Sequence, residues 1–305
     1  MEALSGAVGW TQGFCQLEAG ALDANACIVG HEACRVVRIE FNHSFHQRGS
    51  PSGPFIWFGL PDLSVENLRI GGTDVTPVPL VDFNYQGGLD ATSSQHFSGT
   101  MLAFRPELLA QAADINCMDP ACVARIGRRP YWGSGNRNTK KLRELVNTVF
   151  DACDEPDYGD WLREHRDLFD FELAAATLKL LCEPDRPLVE SPSSRHGAVK
   201  RALKVLDECD ISEMTVAELC RASSASMSTL NRGFKQEFGI SPKTYMRARR
   251  LVAVQKSLIR ADPDTKVAEV ANRWGFWHMG SFAADYRKQF GELPSETLAR
   301  LVSSA

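Results

Sequence analysis

The chain has 305 residues, about twice the length of a typical single domain, so two domains are expected. Its 44% hydrophobic and 24% charged residues exclude collagen-like, low-complexity and wholly disordered proteins. Residues 1–194 hold 16 Lys and Arg against 26 Asp and Glu, whereas residues 195–305 hold 18 against 12. An acidic part of net charge −10 therefore precedes a basic part of net charge +6, and only the basic part is expected to meet a polyanion.

The first residues, MEALSGAVGWTQGF, lack the basic start and continuous apolar stretch of a secretory signal. No apolar run reaches the ~20 residues that a membrane-spanning helix needs. We therefore expect a cytoplasmic protein with no membrane partner. The nine cysteines contain no C-x-x-C pair, which predicts reduced and mostly buried thiols. Cys117 and Cys122, the pair closest in sequence, are the candidates for a redox switch.

The N-terminal half is predicted to be rich in strands over residues 24–105. Apolar and charged side chains alternate along 37–41, which is typical of a half-buried strand, and Ile70-Gly71-Gly72-Thr73 predicts a hairpin turn. After Pro130 the apolar period becomes helical, with stripes over 142–153 and 168–182. The predicted fold class is therefore α+β, with a small β-barrel followed by a helical appendix.

Aromatic residues of the predicted barrel are candidates for lining a ligand cavity, although most are expected to be ordinary core. They are Phe41, Phe45, Trp57, Phe58, Phe83, Tyr85, Phe97 and Phe104. The site candidates chosen from this region are Phe41, His43, Trp57 and Tyr85.

The stripe of the second predicted helix approximates a heptad, so it is either a dimer seam or simply core. The histidines do not form a dense metal-ligand pattern, and His43-x-x-His46 alone is weak. The others in this half are His31 and His96. No metal and no cofactor are predicted.

The Pro- and Ser-rich stretch EPDRPLVESPSS is the best candidate for a linker, at residues 183–194. It divides the chain into a domain at 1–182 and a domain at 195–305.

The C-terminal domain contains a repeat. Val216–Cys220 recurs as Val267–Ala271 at an offset of 51 residues, and the Phe-Gly-x-x-Pro motif at Phe238–Pro242 recurs at Phe290–Pro294 at an offset of 52. Each copy also carries two apolar residues four positions apart before its Phe-Gly. This pattern predicts two helix-turn-helix units.

Capping residues define the helices of the first unit. Thr215 and Glu218 predict a capping box that opens a short helix. The second helix begins near Ser224 or Ser226 and ends at Gly239, a residue suited to a C-cap.

A long helix joins the two predicted units. Ser241-Pro242 predicts its start, because Ser is a good N-cap and Pro suits the first helical position. The helix is expected to end before Pro263.

With these motifs in place, the C-terminal domain resembles the DNA-binding domain of the AraC/XylS family of bacterial transcription regulators. The resemblance covers roughly residues 196–305 and rests on Ser226-x-x-x-Leu230-x-Arg232-x-Phe234, Phe238-Gly239-x-Ser241-Pro242-x-x-Tyr245, Arg250-Leu251, Ala271-x-x-x-Gly275-Phe276, Phe282-x-x-x-Tyr286-Arg287 and Phe290-Gly291-x-x-Pro294-Ser295. It implies two units that enter successive major grooves of promoter DNA, usually as an activator. By position alone, it also implies that residues 1–182 form a cupin-like barrel that binds a small-molecule effector and dimerises.

The resemblance implies which side chains face DNA in the first unit. Ser228, Asn231 and Arg232 occupy the positions that face base edges, and Arg and Asn suit bidentate recognition of guanine and adenine. The DNA-binding candidates also include Ser226, Thr229 and Lys235. The alternative for Arg232 is a salt bridge to Glu218 or Glu237.

The second unit departs from the family pattern. Its base-facing positions are Met279, Gly280, Ala283 and Ala284, which have almost no hydrogen-bonding capacity. We therefore predict that the first unit provides most of the specificity. The second unit would contribute phosphate contacts through Arg287, Lys288 and His278, with Met279 and Ala283 contacting thymine methyls. Trp277 is equally consistent with packing of the turn and with DNA contact.

The sequence thus favours a ligand-responsive, homodimeric transcription regulator with no catalytic residues, whose partners are double-stranded promoter DNA, RNA polymerase and an effector. Two alternatives stay open. One is an effector-independent DNA-binding protein whose barrel only oligomerises or docks a partner. The other is a cysteine-dependent DNA-modifying enzyme with regulator activity.

Overall fold

The computed structural model describes residues 10–30, 32–75, 80–93, 95–132, 137–154, 160, 163–182, 194–262 and 264–302. The strands are β1 (Trp10–Gln16), β2 (Ala24–Gly30), β3 (Cys34–Phe41), β4 (Phe45–Pro51), β5 (Ile56–Pro61), β6 (Arg69–Ile70), β7 (Thr73–Asp74), β8 (Leu80–Asp82), β9 (Leu89–Thr92), β10 (Phe97–Phe104) and β11 (Tyr131–Trp132). The helices are α1 (Pro106–Ile115), α2 (Pro120–Ala124), α3 (Arg137–Asp154), α4 (Arg166–Leu181), α5 (Ser194–Glu208), α6 (Val216–Ala222), α7 (Met227–Phe238), α8 (Pro242–Ile259), α9 (Val267–Arg273), α10 (Met279–Phe290) and α11 (Pro294–Val302).

The described strands form two antiparallel sheets, in the orders β1-β4-β9-β6-β7 and β11-β8-β5-β10-β3-β2. An apolar core lies between the sheets and takes side chains from both, among them Ile39 and Met101 from one and Ile70 and Leu89 from the other. The predicted α+β class is confirmed. The strand-rich region begins earlier than predicted, because β1 precedes residue 24.

The predicted hairpin is present. Ile70 pairs with Thr73, and Gly71 and Gly72 between them have φ of 56° and 76°. Both values lie in the left-handed region that glycine adopts without a steric penalty. The local pattern alone therefore specified this turn.

Helices α3 and α4 form the appendix and pack on the outer face of the six-stranded sheet. Helix α4 contacts α1, α2 and α3, and residues on every side of it are buried, from Leu173 through Leu178 to Leu181. The stripe predicted for this helix is therefore core, and the alternative of a dimer seam along it is wrong. Leu168, at its first turn, is 58% exposed.

The cysteine prediction needs correction. Cys122 forms a disulfide with Cys182, with Cα atoms 5.0 Å apart, so Cys117 is not its partner. The remaining cysteines of known exposure are not mostly buried either, since Cys27, Cys117 and Cys209 are exposed. The pairing was missed because it joins α2 to the end of α4 across 60 residues of sequence.

The helical domain has two cores that share the long helix α8. Its first half contributes Tyr245 to a core with Leu219, Leu230 and Phe234. Its second half contributes residues such as Val254 to the other core. The other buried members of that second core are Leu251, Leu258, Val270, Ala271, Phe282 and Tyr286.

Strand β1 belongs to the sheets, yet its end also completes the first helical core. Cys15 and the following Leu17 are buried there. Gln16 donates a hydrogen bond of 3.0 Å from Nε2 to the carbonyl of Gln289 in α10. Both ends of the helical domain are therefore held against the sheets.

Candidate nucleic-acid interface

The first unit consists of α6 and α7, and each helix has a side-chain cap. Thr215 and Glu218 form the predicted capping box at α6. Ser226 caps α7 by accepting a hydrogen bond of 3.1 Å from the backbone N–H of Thr229. Helix α7 ends at Gly239, whose φ of 72° suits a residue without Cβ.

One face of α7 is buried and the other carries polar side chains. Leu230, Phe234 and Phe238 enter the core. On the opposite side, Ser228, Arg232 and Lys235 are exposed, and Thr229 and Asn231 are half-buried. The predicted base-facing residues of the first unit therefore lie on an accessible surface, together with the cap Ser226.

Arg232 forms no ion pair within the described part of the chain, so the salt-bridge alternative is wrong. The two acidic candidates have other partners. Glu218 accepts hydrogen bonds from Thr215, and Glu237 lies 3.2 Å from His196 Nδ1 on α5. The hydrogen bond to Glu237 raises the pKa of His196 above its ordinary value. The Arg232 guanidinium is thus left facing solvent.

The second unit consists of α9 and α10. It has the same order of helices as the first unit, but neither of its helices has a side-chain N-cap. Lys266 and His278 occupy the N-cap positions, and neither forms a side-chain cap. Helix α10 ends at Gly291, with φ of 77°. It buries Phe282 and Tyr286, and the Tyr286 hydroxyl lies 2.9 Å from Thr297 Oγ1 on α11.

The exposed surface of α10 is apolar at its start and basic at its end. Gly280 and Ala284 are exposed, and Met279 and Ala283 are half-buried. The basic end consists of Arg287 and Lys288, both exposed, and His278 is exposed just before the helix.

Trp277 is a residue that the site prediction left out. Its side chain is 62% exposed, so it does not pack the turn. Its place directly before His278 puts a large aromatic ring beside the start of α10, where it is available for contact with a partner. The only sequence signal was its position after Gly275-Phe276.

Contacts with α8 and with the first unit hold the second unit in place. Arg247 of α8 pairs with Asp285 of α10, and Trp274 donates a hydrogen bond of 3.1 Å to Ser257 Oγ. Gly275 has φ of 78°, and a Cβ there would collide with the carbonyl of Ser212 in the loop before α6. These contacts therefore join the second unit to α8 and to the loop before the first unit.

A separate apolar cavity of about 50 Å³ lies between the two sheets. Of the four effector candidates, Phe41 lines it, together with residues such as Phe83, Phe97 and Met101. His43, Trp57 and Tyr85 are not among its lining residues. Trp57 is buried in the adjoining core, and His43 lies 3.8 Å from Glu18.

Polar contacts join the sheets to α5 and α8 of the helical domain. His46 is 1% exposed, and its ring nitrogens lie 2.6 Å from the Tyr245 hydroxyl and 2.8 Å from Asp90 Oδ1. Burial raises the pKa of Asp90, but the hydrogen bond with His46 and the electrostatic attraction of His46, Arg48 and His196 together outweigh burial, so the pKa of Asp90 is lowered. Arg48 and Arg249, one from each domain, both pair with Asp207.

Two helix-turn-helix units on one long helix, each with an exposed second helix, define a paired helix-turn-helix domain. Residues 219–300 match a family model described as "Helix-turn-helix domain". The domain is of the AraC type, which confirms the resemblance predicted from its motifs.

Several operon regulators are similar to part of the chain. The chain is 37% identical over 112 residues to "Probable thc operon regulatory protein" of Rhodococcus erythropolis, covering 36% of this chain and 34% of that protein. It is 30% identical over 192 residues to "XylDLEGF operon transcriptional activator 1" of Pseudomonas putida, covering 60% of this chain and 56% of that protein. The matches thus span a third to just over half of these relatives' lengths.

Among solved structures, the chain is similar to ToxT of Vibrio cholerae O395, at 11% identity and a TM-score of 0.32. The alignment covers 96% of this chain and 98% of ToxT.

Proposed function

We propose that the chain is a sequence-specific DNA-binding transcription regulator, in which α7 and α10 enter successive major grooves. The exposed polar surface of α7, with Ser228, Asn231 and Arg232 beside one another, is the observation that carries the proposal. Arg and Asn side chains are well suited to bidentate recognition of bases. The names of the relatives support the same class, since they are operon regulators.

Unequal roles for the two units are part of this proposal. Arg232 and Asn231 would read bases, with Ser226, Ser228, Thr229 and Lys235 supporting them. The second unit would bind phosphates through His278, Arg287 and Lys288, with Met279 and Ala283 against thymine methyls. Trp277 joins this set, because its exposed ring lies beside the start of α10.

We also propose that the N-terminal domain senses an apolar effector, because it contains an apolar cavity. The cavity between the sheets is lined mainly by apolar side chains, with Phe41 among them. At about 50 Å³ it has room for little more than a few water molecules, so an effector would have to expand it. Expansion would alter DNA binding only if the effector prefers one state of the two domains.

The remaining parts of the proposal follow from the DNA-binding role. We propose a cytoplasmic, homodimeric activator that contacts RNA polymerase and has no catalytic activity. No helix among the described residues is long and apolar enough to cross a membrane. The relatives' names include a transcriptional activator, which supports activation.

The cysteine-dependent enzyme is the second candidate function, and it requires an activated thiol. Burial instead raises the pKa of Cys15 to about 12 and raises the pKa of Cys34 well above its ordinary value. A thiol that stays protonated is a poor nucleophile. An unchanged protein mass after incubation with alkylated DNA would remove this candidate, whereas a gain of one alkyl group would support it.

Selection of genomic fragments by the purified chain at near-physiological salt, followed by sequencing, tests the main proposal. We expect a motif with two elements about one helical turn apart. The variant Arg232→Ala should lose preference at one position of that motif. Recovery of fragments without a shared motif, with and without added metabolite pools, would contradict sequence-specific regulation.

The effector part has its own test. Thermal unfolding of the chain against metabolite pools should show reproducible stabilisation by an apolar compound. The variant Met101→Trp places a larger side chain in the cavity and should abolish the increase in unfolding temperature. The absence of any stabilising compound would favour the effector-independent alternative.

A further inference from the structure

Strand β2 is an unprotected edge of the six-stranded sheet. It pairs with β3 on one side, from Ala24 opposite Phe41 to Gly30 opposite Arg35. On its other side, no backbone hydrogen bond from any described residue reaches it. Six of its seven residues are exposed, so the free N–H and C=O groups of this edge face solvent.

The composition of β2 lacks the devices that keep an edge strand from pairing. Its sequence, ANACIVG, contains no charged residue and no proline. Natural edge strands usually carry a lysine, a proline, a bulge or a covering element to prevent association. A seven-residue, uncharged strand that no described element covers is therefore a template for another strand.

One face of β2 also leaves apolar surface uncovered. Opposed residues of an antiparallel pair share a face, so Ile28 and Ala26 lie beside Val37 and Ile39 of β3. Val37 and Ile39 are buried in the core between the sheets, whereas Ile28 is 49% exposed. The core surface thus continues onto β2, where no described residue buries Ile28.

We propose that β2 pairs antiparallel with β2 of a second copy of this chain, joining two six-stranded sheets across a two-fold axis. The same strand is complementary to itself in this arrangement, because its backbone groups repeat and no like charges meet. The register that pairs all seven residues puts Cys27 opposite its own copy on the dyad. Ile28 of each copy then lies opposite Ala26 of the other and extends the apolar face.

This dyad also positions the DNA-binding domains. The residues just before β2 contact the end of α10: the Gly20 N–H donates to the carbonyl of Gln289 at 3.2 Å, and Ala21 packs against Gly291. Pairing through β2 therefore brings the second units of two copies near the axis. This consequence rests on the proposed DNA-binding function, and the pairing rests on the homodimer proposed there, for which it names the interface.

Sedimentation velocity of the full chain tests the pairing without DNA. We expect a dimer for the natural sequence and at least tenfold weaker association for Ile28→Lys, which places two positive charges beside the axis. Leu63→Lys is the matched control, because Leu63 is 75% exposed and lies outside the strands. It should leave the dimer intact, and both variants should remain folded, as measured by circular dichroism.

Cys27 allows a second measurement on the unaltered fold. Directly opposed residues in an antiparallel pair have Cα atoms about 4.5–5.5 Å apart, so a short bismaleimide should cross-link the two copies through Cys27. Cys27→Ser should abolish the cross-link, whereas Cys209→Ser, at another exposed cysteine, should retain it.

A monomeric natural chain at tens of micromolar would overturn the proposal. A dimer that persists in Ile28→Lys, or a cross-link that persists in Cys27→Ser, would also overturn it by showing a different interface. A dimer with this cross-link but no DNA motif would instead count against the proposed function alone.

Discussion

The two helix-turn-helix units have the same order of helices but differ in their helix caps and in the number of side chains that they bury. In the first unit, side chains cap both helices, and α7 buries Leu230, Gly233, Phe234, Glu237 and Phe238. In the second unit neither N-cap residue forms a side-chain cap, and α10 buries Phe282 and Tyr286. The helix starts of the first unit are therefore defined by its own side-chain caps, whereas the second unit lacks such caps and is held by contacts with α8 and with the loop before α6.

The largest expected effect comes from the contact at Gly275. Gly275→Ala places a Cβ against the Ser212 carbonyl at a positive φ, so we expect a loss of about 2–4 kcal/mol in the free energy of unfolding. Urea unfolding measures it. Gly280→Ala is the control, because no atom lies within 4 Å of the added Cβ. Helix propensity should make this control neutral or slightly stabilising. Equal stability of the two variants would show that the second unit does not rely on this contact.

The next largest effects are on DNA binding, where substitutions in the two units should have different consequences. Arg232→Ala should cost about 1–3 kcal/mol of discrimination at one base pair, because it removes the guanidinium that we propose to read a base. Lys288→Ala should lower the binding affinity for all DNA sequences by a similar factor. It should also reduce the slope of log affinity against log salt concentration by about one. Titrations of matched and mutated sites at several salt concentrations measure both.

Lys204→Ala removes an exposed charge from α5 and is the control for these titrations. If Arg232→Ala and Lys288→Ala both reduce only non-specific binding, the proposed division of roles is wrong.

A smaller effect on stability is expected from removing the N-cap of α6 and from adding one to α9. Thr215→Ala removes the capping box of α6 and should cost about 1 kcal/mol. Lys266→Thr would supply the same box to α9, because Glu269 already stands three residues later. It should stabilise by up to about 1 kcal/mol, since the exposed Lys266–Glu269 pair contributes little. A gain in unfolding temperature for Lys266→Thr and a loss for Thr215→Ala are the expected outcomes; two losses would contradict the comparison.

The smallest effect is a pH dependence at the contact between α5 and α7. Glu237 raises the pKa of His196 in the folded chain, with Asp90 acting in the same direction and burial and Lys200 opposing it. The raised pKa means that this stabilisation is fully present below the unfolded pKa of about 6.5. It is lost as the pH rises through the folded pKa. Glu237→Gln should therefore lower the unfolding temperature at pH 6 and have less effect at pH 8.5. A constant difference across this range would exclude His196 as the cause.

The parts of the structure that sequence could predict are local. Thr215 with Glu218, Gly239, and Ser241 with Pro242 marked helix ends correctly, because capping depends on a few neighbouring residues. The Gly71-Gly72 turn was predictable for the same reason. The repeat then gave the order of helices in the C-terminal domain.

The parts that sequence could not predict depend on distant residues. His46 and Tyr245 are 199 residues apart, and Cys122 and Cys182 are 60 apart, so neither contact leaves a local pattern. The apolar stripe of α4 was ambiguous because its period is the same in a core and in a dimer seam. The exposure of Arg232 was unpredictable for the same reason, because it depends on the partners of two acidic residues. Glu218 accepts hydrogen bonds from Thr215, and Glu237 contacts His196.

Strand β1 has a consequence for how the chain unfolds. Because Cys15 and Leu17 complete the core of the first helix-turn-helix unit, the sheets and that unit share buried surface. A backbone break within residues 183–193 would leave two pieces that still share this core, so they should co-migrate after cleavage. Calorimetry of the intact chain should then show the sheets and the first unit melting in one cooperative transition, although the linear sequence divides them in two.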